Sequence, residues 1–238
     1  MSFDPPQYIR DRTFLHKSVD LGYSDMAVTT TSNGRTYTTK DGVLLPSITT
    51  VLSIRSRGAI QEWRQRVGSE QANRIGRSAA GRGTALHSIC ERYISNIDPI
   101  FTGKEMPHVV QMFRSIAPII NKRIGSIWLQ EKPLYSLHLG LAGRVDLVAE
   151  FDERLSIIDF KSSSKVKDVA DISSYFIQES AYAIMFEERT GIPVDQLVTL
   201  MAVEGTNKVL VFVESRDRWT DELHKTIHEY NSEKLFRG

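Results

Sequence analysis

Asp146, Asp159 and Lys161 are the residues of this chain best placed to do chemistry, because a short bend brings them together. Residues 141–163 carry two apolar, β-branched runs on either side of a charged turn, which is a strand–turn–strand signature. Folding the segment symmetrically about Asp152 and Glu153 sets Phe151 against Arg154 and Glu150 against Leu155. Carried outward, that register sets Asp146 opposite Asp159. Directly opposed residues have Cβ atoms roughly 4.5–5.5 Å apart, and like charges repel there. Side chains alternate along a strand, so Asp159 and Lys161 share a face and Phe160 points away. Both strands are otherwise largely apolar, as expected of strands covered on both faces. Two acids and an amine in such a sheet make sense if a divalent cation bridges the carboxylates.

That arrangement suits phosphodiester hydrolysis. The reaction needs a strong nucleophile at neutral pH and relief of negative charge in the transition state, and a bound divalent ion supplies both. Asp146 and Asp159 would hold it, with His87 and the Phe160 carbonyl completing the protein's share of the ligands. A histidine on a helix is most often a packing or surface residue. His87 gains weight as a ligand because imidazole and carboxylates together make a divalent site. Lys161 can orient or deprotonate the attacking water, or stabilise the scissile phosphate. The neighbouring carboxylates favour its charged form and so an electrostatic role, while burial acts the other way. Glu131 has two readings, a contact to the water on the ion or an edge-strand charge. Tyr182 competes between the site and simple core packing. Gln178, one helical turn before it, is harder to assign to the core, because an unpaired buried amide costs about 1–3 kcal/mol.

The elements that must position these residues follow from periodicity and punctuation. Ala27–Thr31 and Arg35–Thr39 bracket Ser32-Asn33-Gly34, and Asn-Gly is a strong hairpin signal. Pro46-Ser47 opens a largely helical stretch to about Arg123, with Ser47 as N-cap. Within it the sequence predicts segments near 59–67 and 69–80, a break at Gly81-Arg82-Gly83, a helix from Thr84 to about Asn96 and another near 107–123. Strands are expected at 127–138, 141–150 and 155–161. A helix over Asp171–Thr190 follows, with an apolar stripe through Ile172, Tyr175, Phe176, Ala183 and Phe186. Gly191 and Pro193 end it. Strands at 196–204 and 208–214 and a helix near 220–235 complete an α/β core with a mixed central sheet. The expected organisation is an N-terminal arm and hairpin over 1–45, a helical region over 46–125 and an α/β core over 126–238.

Composition excludes several classes. A quarter of the residues are charged and 41% are hydrophobic, as in ordinary globular domains. No apolar run approaches the ~20 residues of a membrane span. The first residues resemble neither a signal peptide nor a transit peptide, so the expectation is a cytoplasmic protein. Cys90 is the sole cysteine, which rules out an intrachain disulfide and a four-cysteine zinc or iron–sulfur site. The net charge of +1 is unevenly spread: Arg55, Arg57, Arg64, Arg66, Arg74, Arg77 and Arg82 face only Glu62 and Glu70 in that stretch. Such a segment suits a phosphate backbone, and equally a solvated helical surface.

Taken together, the motifs resemble the PD-(D/E)xK nuclease superfamily. The carrying residues are an aspartate, Asp146, and thirteen positions later Asp159-x-Lys161 across a hairpin. Gly83-Thr84-x-x-His87 upstream and Gln178-x-x-x-Tyr182 downstream resemble its RecB-like branch. Leu45-Pro46-Ser47-Ile48-Thr49-Thr50-Val51-Leu52, Trp63, Arg82 to His87 and Ala142-Gly143-Arg144-Val145-Asp146 resemble the mitochondrial genome maintenance exonucleases and their phage relatives. The resemblance spans residues 37 to 204. It implies a restriction-endonuclease-like core with a helical region arching over the site. It also implies a Mg²⁺- or Mn²⁺-dependent DNA exonuclease acting on single strands with free ends. His87 and both aspartates would be metal ligands, Lys161 catalytic, and Gln178 and Tyr182 near the site. Arg55, Arg57, Arg64, Arg74, Arg77, Arg82, Thr84, Ser162 and Ser163 become candidate DNA contacts, with exposed aromatics for base stacking. Without a targeting sequence, the expected setting is a bacterial or phage-infected cytoplasm, in replication, recombination or repair, with a single-strand annealing protein or helicase as partner. The cysteines of iron–sulfur members are missing, so no cluster is expected. Two alternatives share these residues: a structure-specific flap or junction endonuclease, and an inactive DNA-binding accessory module.

Overall fold

The computed structural model describes residues 11–237. The part of the expected N-terminal arm before residue 11 lies outside them. A small antiparallel sheet comes first, with strands β1 (Ala27–Thr31), β2 (Gly34–Thr38) and β3 (Leu44–Pro46) in that spatial order. The Asn-Gly hairpin is present, while β3 was not expected: three residues are too few to show a pattern.

Helices α1 (Ile48–Val67) and α2 (Ser69–Ile94) follow. Ser47 caps α1, its side chain accepting the Thr50 N–H at 3.0 Å. A single residue, Gly68, separates the helices, at φ 84°, where a side chain would be strained. Between Ser53 and Gly81 only Ala72 is buried, so the two helices form a solvated arm. The expected break at Gly81-Arg82-Gly83 is absent, and α2 runs straight through it. Each glycine costs a helix about 1 kcal/mol. Tertiary ties outweigh that here: Arg82 bonds Glu204 at 2.7 Å and Ser162 Oγ at 3.3 Å, and the following turns are buried through Leu86, Ile89 and Cys90.

Helix α3 (Pro107–Arg123) leads into a five-stranded mixed sheet: β4 (Ile124–Ser136), β5 (Leu141–Phe151), β6 (Arg154–Ser163), β7 (Gln196–Val203) and β8 (Val209–Ser215), adjacent in that order. Only β6 and β7 pair in parallel, and α4 (Ser173–Thr190) makes the crossover between them. Parallel neighbours need such a connection because a tight turn cannot return the chain to the same end. Helix α5 (Asp217–Arg237) closes the chain. One face of the sheet packs against α2 and α3 around Phe113, Phe151 and Ile158. The other packs against α1, α4 and α5 around Ile48, Phe176 and Leu197. From α3 onward the order of helices and strands is the one the sequence predicts, with strand ends shifted by up to three residues.

Candidate active site

The β5–β6 hairpin has the register read from its symmetry: Phe151↔Arg154, Glu150↔Leu155, and onward to Leu147↔Ile158. Asp152 and Glu153 both take positive φ, at 49° and 66°, the conformation a two-residue turn needs to match strand twist. Arg123 clamps Asp152 and so holds the turn. The regular ladder ends at Leu147↔Ile158. The next position outward is Asp146 and Asp159, and there the Asp146 carboxylate accepts the Phe160 N–H at 3.1 Å. The acids thus sit where the two strands part.

Glu131 extends the row. Gln130↔Leu147 and Lys132↔Val145 bracket it on β4, which places Glu131 opposite Asp146. Its backbone has φ 48°, an uncommon conformation for a residue with a side chain, and Arg144 bonds its carbonyl. Strain of this kind, about 1–3 kcal/mol, persists where the surroundings enforce it and clusters at functional sites. Glu131, Asp146 and Asp159 therefore run across three neighbouring strands. Thr199 continues the row on β7, paired with Asp159.

From α2, His87 brings Nδ1 to 3.2 Å from Asp146 Oδ2 and sets its ring edge-on to Phe160. His87, Glu131 and Asp146 each offer a ligand atom within 4.8 Å of the others. Asp159 stands outside that trio, with Oδ2 held by the Lys161 ammonium. It is 2% exposed, and its Oδ1 has no hydrogen-bond partner among the described residues. Lys161 also lies 5.0 Å from the centre of the Tyr175 ring.

Crowded carboxylates shift one another. Burial, then the Asp159 charge, push Asp146 up to about 6 against the pull of His87 and Lys161. Burial, then Asp146 and Glu91, push Glu131 up to about 8. Burial pulls the Lys161 ammonium down, but Asp159 and Asp146 outweigh it and hold its pKa above the ordinary value. A lysine so held is a fixed positive charge.

Helix α4 covers the site from the opposite face. Gln178 is half-buried and donates to the Tyr182 hydroxyl at 3.3 Å. Tyr182 is 3% exposed and packs in the core, as the second of its two readings expects. It lies across Gly143 of β5: a Cβ there would stand 2.7 Å from Tyr182 Cε1 and 3.1 Å from Ile48 Cγ2. Gly143→Ala should therefore cost about 1–3 kcal/mol through overpacking. At roughly 2–4 °C per kcal/mol for a chain of this size, the loss is measurable by thermal melting.

One residue escaped the sequence reading. Glu179 is fully buried, bonded through Oε1 to the Thr199 hydroxyl, and its Oε2 has no hydrogen-bond partner among the described residues. Burial, then the Asp159 charge, hold its carboxyl well above the usual range. The signal was present: Glu179 falls one turn after Tyr175, on the apolar stripe of α4, where a charge needs a reason.

The candidate DNA contacts are dispersed. Arg55 pairs with Glu222 at 3.0 Å and Arg57 with Glu233 at 2.6 Å, tying α1 to α5. Arg82 is drawn to Glu204, as described. Arg64 bonds Asn73 at 2.8 Å and Arg74 bonds Gln71 at 2.6 Å, both neutral partners, and neither arginine has an ion-pair partner among the described residues. Arg77 and Thr84 are exposed on α2. Ser162 is half-buried beside Arg82. Ser163 is 4% exposed, and its hydroxyl donates to the Lys165 carbonyl, closing a local turn.

A family model, that of the PD-(D/E)XK nuclease superfamily, matches residues 59–237. No curated protein matches the chain. The matched stretch takes in the whole five-stranded sheet, α2 to α5 and the acid row. Among the described residues no helix is long and apolar enough to cross a membrane.

Proposed function

The chain belongs to the PD-(D/E)XK nuclease superfamily, and from that premise we propose that it is a Mg²⁺- or Mn²⁺-dependent DNase degrading single strands from a free end. The observation that carries the reading is the acid row Glu131–Asp146–Asp159 with His87 and Lys161 beside it. Its donor set suits a hard divalent ion: oxygen ligands with one imidazole. Asp159 Oδ1, buried without a partner, is an acceptor that such an ion would satisfy. His87, Glu131, Asp146 and Asp159 would hold it, with the Phe160 carbonyl as a further donor. When bound, the ion supplies an acidified water and offsets the charge gathering on the phosphate.

The chain's own residues supply the rest. The Phe160 N–H fixes the orientation of Asp146. Lys161 stays protonated and places its charge beside the scissile phosphate, steadied by the Tyr175 ring. Gln178 and Tyr182 brace the site from α4. Binding of a nucleic-acid backbone is supported by the solvated α1–α2 arm, whose Arg64, Arg74 and Arg77 offer positive charge. A role in DNA replication, recombination or repair follows from that substrate.

Labelled single-stranded DNA, linear and circular, incubated with Mg²⁺ or Mn²⁺, tests this directly. Linear strands should shorten to small oligonucleotides while circles persist. Circles cut as fast as linear strands would refute the need for an end. A single internal cut in flap or junction substrates would favour the structure-specific endonuclease reading.

A further inference from the structure

The matched family stretch begins at residue 59, so the small sheet and the first turns of α1 lie outside it. Between the β1–β2 tip, the start of α1 and the end of α5 is a cleft of about 1030 Å³. Arg35, Arg57 and Lys234 line it, opposed by Glu233, which Arg57 already engages. Arg35 and Lys234 are exposed and have no ion-pair partner among the described residues. Beside them stand the exposed hydroxyl groups of Thr30 and Ser32 on the hairpin and the half-buried Tyr230.

The cleft has a rigid wall. Gly34 lies so close to α1 that a Cβ would stand 2.3 Å from Thr50 Cγ2. Thr50 Oγ1 accepts the Arg35 N–H at 2.9 Å and donates to the Arg35 carbonyl at 3.2 Å. The hairpin tip is thereby fastened to the first turn of α1, and Arg35 is held over the opening. One residue links the cleft to β5, the strand that carries Asp146. Ile48, the residue before the cleft-lining Thr49, lies against Gly143, three residues before Asp146.

We propose that this cleft is a second nucleic-acid subsite, holding the phosphate backbone of the strand whose scissile bond lies at the acid row. Arg35 and Lys234 take phosphates, the hydroxyl groups donate to phosphate oxygens, and Tyr230 offers a face to a base. A surplus of positive charge, neutral donors and one aromatic ring is what a single strand asks of a groove. The proposal rests on the nuclease reading above and extends it away from the reacting atoms.

The test uses the full chain and its Arg35→Gln/Lys234→Gln variant, with labelled oligothymidylates of about 5 and about 20 nucleotides, bracketing common single-strand sites. Losing two phosphate contacts should lower the salt slope of long-strand binding by about 1.4. The preference in kcat/KM for the long over the short strand should fall about tenfold. In the unaltered chain, a strand carrying 5-iododeoxyuridine should photo-cross-link to Tyr230. That measurement decides the matter even if the variant fails to fold. A wild-type chain that cleaves DNA, with unchanged salt slope and length preference in the variant and no cross-link in the cleft, would overturn the subsite alone. A wild-type chain that neither binds nor cleaves single strands would overturn the nuclease reading and the subsite with it.

Discussion

Asp159→Asn should lower DNA cleavage by about a thousandfold or more while the chain still folds. Offsetting the charge on a transferring phosphoryl group is worth several kcal/mol, and each 1.36 kcal/mol is about tenfold in rate. Asp159 is 2% exposed, with Oδ1 unpartnered and Oδ2 on Lys161, so no other group can take its place without moving the sheet. Asparagine keeps the volume and removes the charge. The Lys161 ammonium then loses its nearest partner but still feels Asp146 and Glu179, which limits the cost to the fold. Timed gels of an end-labelled strand measure the rate, and the rise in melting temperature on adding Mn²⁺ measures the ion. Both should collapse together. A variant within tenfold of the parent rate would show that Asp159 is not in the reacting centre.

The second large effect couples acidity to the divalent ion. Without the ion, Asp146 is raised from 3.8 to about 6 and Glu131 from 4.5 to about 8. Between those limits the folded chain keeps protons that the unfolded chain has released, so stability falls as pH rises. The contribution is fully present below pH 3.8 and is lost as pH climbs through 6 and 8. An ion that ligates carboxylates needs them ionised, so its binding releases protons and strengthens over the same window. At about a hundred times its dissociation constant it adds ~2.7 kcal/mol, or roughly 5–10 °C in melting temperature. Melts in chelator and in Mg²⁺ should therefore diverge, with a gap larger at pH 8 than at pH 6. Curves that coincide at every pH, or a gap that narrows toward pH 8, would mean the carboxylates do not share an ion.

Much of this centre could be read from the chain because a hairpin is local. The register that sets Asp146 beside Asp159 depends on a turn of two residues and a period of two, both visible in the sequence. The Ser47 cap and the Gly191 stop are equally local, and Gly191 does take the left-handed conformation, φ 71°. What could not be read is non-local. Gly81-Arg82-Gly83 looks like a break until Glu204, in the turn after β7, is known to hold Arg82. Thr199 reaches Glu179 only because β7 pairs in parallel with β6, and no short-range pattern encodes that neighbour. Glu131 could be placed on β4, but its left-handed backbone and its place opposite Asp146 depend on Arg144 and on a register disturbed elsewhere by bulges.

The parallel pairing of β6 with β7 has a consequence for biosynthesis. The centre draws on α2, three strands and a crossover helix, spread from residue 87 to residue 182, and β6 gains its second neighbour only at residues 196–203. A chain emerging from the ribosome therefore has its acids translated well before it has the walls that hold them in line. A fragment ending before residue 196 thus carries every acid of the row but lacks the strand that flanks β6 on its second side.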